Sequence, residues 1–98
     1  PIVPNYHLSE EALTDLDKMW NYTEEQWSID QANRYVTEVY SCIEFLAENP
    51  LSGKQTKTQV TNSRQFQVES HLIFYLKEGK SITILRIILI NADYLGYI

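Results

Sequence analysis

Two amphipathic segments and then a run of alternating and continuous apolar segments set the pattern of the chain. Ser9 is a good helix N-cap, and Glu10 and Glu11 follow in the first turn, where carboxylates favour the helix dipole. From there to about Trp27, Leu13, Leu16, Trp20, Thr23 and Trp27 recur at three- and four-residue spacing. That predicts a helix with this row buried. Met19 sits beside the row. Ser28 to Asp30 breaks the pattern, and Asp30 can cap a second helix over about Gln31 to Glu48. Its apolar row is Ala32, Tyr35 or Val36, Val39, Ile43 and Leu46. Asn49-Pro50 stops it, because proline disfavours helix in the residue before it. A short break between two amphipathic helices predicts an antiparallel hairpin.

The rest of the chain has a period of two. Arg64 to Glu69 alternates, with Phe66 and Val68 on one side and Gln65 and Gln67 on the other. His71 to Lys77 is rich in β-branched and aromatic residues. Ser81 to Ile90 is nearly continuous Ile, Leu and Thr. Gly79, between the last two runs, supplies the positive φ of a tight hairpin. Strict alternation would place Ile82, Ile84, Arg86, Ile88 and Ile90 on one face and Thr83, Leu85, Ile87 and Leu89 on the other. Asn5 to Leu8 reads as a short first strand. Leu51 to Asn62 reads as a loop, with a frayed strand near Gln59 to Thr61.

Helices first and a strand meander afterwards predict an α+β sandwich, an N-terminal helical hairpin on an antiparallel sheet of three or four strands. One helical hairpin covers one sheet face. The last strand is apolar on both, so the second face is expected to meet a partner chain, a second copy of the chain, or its own loop and tail.

Length and charge bound this picture. The 98 residues make one domain. No window approaches the roughly 20 apolar residues of a membrane span, and no signal peptide is visible at Pro1-Ile2-Val3-Pro4, so a cytoplasmic location is expected. One cysteine, Cys42, excludes an internal disulfide and a cysteine metal cluster. The net charge of −5 is unevenly spread: ten acids and two bases in residues 1–49, three acids and six bases in residues 50–98. An acidic chain is poorly suited to nucleic-acid binding driven by phosphate neutralisation. The acids Glu10, Glu11, Asp15, Asp17, Glu24 and Glu25 read as a solvated helix face.

Catalytic constellations are thin. His7 and His71 lie in separate strands and in no metal pattern. Cys42 lies mid-helix among core positions. There is no phosphate-binding glycine loop, and no cofactor or metal is expected. Arg86 stands out inside the most apolar strand. A buried arginine needs a partner, so it either pairs with a carboxylate such as Asp93 or a helix acid, or points from the sheet toward a substrate or partner.

The run from Ser70 to Asp93 resembles the C-terminal sheet of the ParE toxins, in the wider RelE/ParE superfamily. Ser70-His71-Leu72-Ile73-Phe74-Tyr75 and Leu85-Arg86-Ile87-Ile88 carry the likeness, with Asp93 after them. Leu8 to Ala12, Asp15-Leu16, Tyr22-Thr23, Trp27, Tyr35 and Leu46 to Pro50 fall at the family's other landmarks. The resemblance implies a toxin that poisons DNA gyrase by protein contact and is silenced by a ParD-like antitoxin. Leu89 stands where a histidine is expected, and Lys54 to Asn62 lacks the dense basic cluster of the mRNA-cleaving RelE branch. Both departures favour a non-enzymatic ParE-like role. The alternatives are a ribosome-dependent ribonuclease using Arg64, Arg86 and Tyr94, and a degenerate module that only binds its antitoxin. By analogy, target contact is expected at Arg64, Arg86, Asp93, Tyr94, Tyr97 and Ile98. Antitoxin contact is expected on the sheet face carrying Ile84, Ile88 and Ile90.

Overall fold

The computed structural model describes residues 5–56 and 60–90. In chain order they form β1 (Tyr6–Leu8), α1 (Glu10–Gln26), α2 (Ile29–Glu48), β2 (Lys54–Gln55), β3 (Arg64–Val68), β4 (His71–Glu78) and β5 (Ser81–Leu89). The strands make one sheet in the order β1-β5-β4-β3-β2. β1 runs parallel to β5 and the other pairs are antiparallel. The sheet therefore has five strands and is mixed. The helical hairpin supplies the crossover that lets the first strand lie parallel to the last.

Both helices begin where a serine can satisfy their first N–H groups. Ser9 Oγ accepts from Ala12 N at 3.0 Å, and Ser28 Oγ accepts from Gln31 N at 3.0 Å. The second cap is thus Ser28, and α2 starts earlier than Asp30 would have it. In α2 the expected row is the buried one: Ala32, Val39, Ile43 and Leu46. In α1 the row is turned. Ala12, Asp15, Leu16, Met19 and Thr23 are buried, while Leu13 and Trp27 are exposed. An acid stands in the buried row, so counting apolar residues alone selects the neighbouring stripe.

The hairpin of β4 and β5 closes at Gly79, whose φ is +61°, with Glu78 opposite Ser81. Further along, Tyr75 pairs with Ile84 but Phe74 pairs with Arg86. Leu85 is the extra residue of a bulge, and the alternation of β5 changes phase there. Ile82 and Ile84 before it and Ile87 after it all enter the core under the helices, with Val68, Ile73 and Tyr75. Leu85 instead packs with Leu72, Phe74 and Ile88 in a second cluster. The expected open face carrying Ile84, Ile88 and Ile90 is therefore not one face. Ile84 is wholly buried beneath the helices, Ile88 is buried in the second cluster, and Ile90, at 37% exposed, meets solvent.

Candidate partner-binding groove

β1 covers β5 only from Ile82 to Ile84. Past that point the start of α1 takes over the edge. Ser9 N donates to Ile84 O at 3.0 Å, and Ser9 Oγ donates to Leu85 O at 2.8 Å. Asp15 completes the closure. Its Oδ2 accepts from Ile87 N at 2.9 Å and from Arg86 Nε at 2.8 Å, and its Oδ1 accepts from Arg86 Nη2 at 2.9 Å. A helix carboxylate thus stands in for a neighbouring strand at Ile87 and holds the guanidinium in a two-pronged grip. Arg86 is paired with a helix acid, as one of the two sequence readings allowed. Asp15, expected on a solvated face, is only 7% exposed.

Beyond Ile87 the edge opens into a groove of about 530 Å³ between α1, α2 and the adjoining ends of β4 and β5. Met19, Tyr22 and Trp27 of the α1 side, Tyr35 of α2, the turn at Glu69 and Ser70, and Ile87 to Leu89 contribute to its walls. Trp27 is 77% exposed and Tyr22 is 58% exposed.

The polar wall is built on one phenol. Tyr35 Oη lies 2.7 Å from His71 Nδ1 and 3.3 Å from Val68 O, and it accepts from Ser70 N at 3.2 Å. The two rings meet edge to face, 5.3 Å between centroids. Burial pushes the His71 pKa down, with the Asp15 charge opposing the effect. Burial pushes the Tyr35 pKa up, with its hydrogen bond from Ser70 opposing. His71 is therefore a neutral, packed member of the wall. Next to it Glu69 adopts φ +48°, the left-handed region that side chains other than glycine avoid. A hydrogen bond with Glu38 raises its carboxyl pKa, and slight desolvation and the Glu38 charge add to that.

Arg64 is elsewhere and otherwise engaged. It lies opposite Tyr75, while Arg86 lies opposite Phe74. Tyr75 and Phe74 are successive residues of β4, so register sends the two arginines to opposite faces. Arg64 Nη1 donates to Gly53 O at 2.6 Å and to Leu51 O at 3.4 Å. Tyr75 Oη accepts from Gly53 N and donates to Pro50 O, both at 2.8 Å. Together Arg64 and Tyr75 fasten the loop after α2. A Cβ at Gly53 would land on the Tyr75 hydroxyl, which explains the glycine. Of the expected target residues, Asp93, Tyr94, Tyr97 and Ile98 lie outside the described residues, and the other two do not come together. Asp15, Tyr35, Glu69 and Trp27 build the groove without having been singled out for it. For Asp15 the signal was its place in the row of Ala12, Met19 and Thr23, in a chain with one arginine inside its most apolar strand.

A helical hairpin on one face of a mixed five-stranded sheet is an architecture found in solved toxin–antitoxin structures. The fold matches the chromosomal ParDE TA system from P. aeruginosa with a TM-score of 0.77, at 20% identity over 89% of this chain and 96% of that one. It also matches the YoeB-YefM complex from Staphylococcus aureus with a TM-score of 0.63, at 16% identity over 92% and 100%. The model of the family described as ParE toxin of type II toxin-antitoxin system, parDE, matches residues 6–89. Toxin ParE1 of Caulobacter vibrioides is 35% identical over 83 residues, 85% of each chain. Toxin ParE1 of Mycobacterium tuberculosis is 31% identical over 84 residues, 85% of this chain and 86% of that one. The chain belongs to the ParE toxin family of type II toxin–antitoxin systems.

Proposed function

We propose that this ParE-family toxin acts by protein contact on DNA gyrase, without an enzymatic step, and is held inactive by a ParD-like antitoxin docked on its surface. The observation that carries the reading is family membership across residues 6–89. Non-enzymatic action is supported by how the chemically capable side chains are used. Arg86 grips Asp15, Arg64 fastens the loop after α2, and His71 is packed against Tyr35. A ribonuclease of the RelE type would need such groups poised for proton transfer, whereas Arg86 and His71, which share the groove, are each held by a neighbouring side chain. An antitoxin is supported by the groove, whose exposed indole and phenol form a surface suited to burial by another chain. Among the described residues no helix is long and apolar enough to cross a membrane, and a cytoplasmic site of action is part of the proposal.

The test is induced expression alone and together with the neighbouring reading frame. Growth arrest that the neighbour relieves supports the reading. Undisturbed growth with full-length soluble chain present contradicts it. Cleaved transcripts in a translating extract supplied with the chain would move the assignment to the ribonuclease class.

A further inference from the structure

Three observations at the groove specify what would fill it. First, Trp27 and Tyr22 on its α1 side are both well exposed. An aromatic wall of this kind attracts a cation through its ring quadrupole, and a guanidinium also stacks on it. Second, the turn that also lines the groove carries Glu69 in a left-handed conformation. Holding a glutamate there costs about 1 kcal/mol or more, and it fixes where the side chain leaves the backbone. The turn is held by Tyr35, which takes the Ser70 N–H. Third, the layer that forms two walls is strongly negative, because residues 10–48 hold ten acids and two bases. Within the groove Asp15 and Arg86 neutralise each other, leaving Lys18 and Glu69 as the other charged residues of the wall. Lys18 is exposed, and its long stem lets the ammonium move into water.

We infer that the groove receives an arginine of the partner's docking segment, its guanidinium between the Trp27–Tyr22 wall and the Glu69 carboxylate, with apolar neighbours seated on Met19 and Ile87 to Leu89. This rests on the reading of the groove as a partner site and specifies the chemistry of that partner. Glu38 stands beside Glu69, outside the groove lining. An arriving guanidinium offers the Glu69 carboxyl an opposite charge in place of a second carboxyl.

The test uses the purified chain, isotope-labelled for NMR, and three tetrapeptides. They are acetyl-Leu-Arg-Phe-Leu-amide, its citrulline analogue, which keeps the shape and loses the charge, and its glutamate analogue. The arginine peptide is expected to shift the Trp27 indole and the Glu69 and Ser70 amide signals and to bind about tenfold more tightly than the citrulline peptide. That preference should shrink in about 0.5 M salt. Glu69→Gln should bring it close to unity, through weaker binding of the arginine peptide rather than tighter binding of the citrulline one. Equal binding of the arginine and citrulline peptides overturns the inference. So do tighter binding of the glutamate peptide, no shift at Trp27 from any peptide, and an undiminished preference in Glu69→Gln. Binding here is read apart from toxicity. A chain that prefers the arginine peptide yet leaves growth untouched would refute the toxin reading and leave the groove chemistry standing.

Discussion

Replacing Asp15 with alanine should be among the most damaging single changes on α1, although the residue is charged. The carboxylate makes three hydrogen bonds, two to Arg86 and one to Ile87 N. Removing it strips a strand-edge N–H of its acceptor, worth about 1–3 kcal/mol when the group stays dry. It also leaves the guanidinium without this carboxylate. Breaking a fully buried pair costs about 3–5 kcal/mol, and the 22% exposure of the Arg86 side chain discounts that term. Water can also reach the guanidinium, so we expect about 3 kcal/mol in all. For a domain of this size that lowers the melting temperature by roughly 10–20 °C. Guanidinium chloride unfolding of the wild type, Asp15→Ala, Arg86→Met and the double variant measures it. The double variant should be less damaged than the sum of the singles, because each single change already removes the hydrogen bonds the two side chains share. A loss under about 0.5 kcal/mol in Asp15→Ala, the range of ordinary surface changes, would refute the claim that this carboxylate closes the sheet edge.

Tyr75→Phe should cost about 1–2 kcal/mol in the same unfolding assay, because Gly53 N–H and Pro50 C=O both lose their partner. Gly53→Ala should destabilise the wild type, where the new methyl meets the Tyr75 hydroxyl, and should do less harm in a Tyr75→Leu background; equal harm in both would remove the steric explanation. Lowering the pH from about 7.5 to about 5.5 should weaken the fold through His71. Its folded pKa lies below the ordinary value near 6.5, so its contribution is full above that value and is lost as pH falls toward the folded pKa. An NMR titration should place the His71 midpoint below the ordinary histidine value near 6.5, and a higher midpoint would mean the ring is not desolvated as described. Gly79→Ala should cost about 1 kcal/mol from the positive φ alone, read as a lowered unfolding midpoint.

The two helices and the terminal hairpin were legible in the sequence because each reports a single strong signal. Ser9 and Asn49-Pro50 bound the helical region, α2 has an uninterrupted apolar row, and Gly79 punctuates two β-rich runs. The parallel pairing of β1 was not legible, since three residues, Tyr6–Leu8, carry no mark of their partner. β2 lies at Lys54–Gln55, ahead of the frayed strand expected near Gln59 to Thr61, of which Gln59 lies outside the described residues. The burial of Asp15 and the bulge at Leu85 were hidden for a common reason. Each is a departure from periodicity, made worthwhile by a long-range contact that the local pattern does not contain. Asp15 and Arg86 are 71 residues apart in sequence, and the phase change at Leu85 sends Ile84 and Ile87 to the same core. The groove was illegible in the same way, because its walls come from α1, α2, the turn at Glu69 and the end of β5.

The central proposal, that this family member stops growth by contacting gyrase and is silenced by its antitoxin, meets its most direct test in a supercoiling assay with purified gyrase and relaxed plasmid. Titrating in the chain should abolish supercoiling, and adding the co-purified antitoxin beforehand should restore it. Supercoiling that proceeds unchanged at a saturating concentration of folded chain would contradict the account.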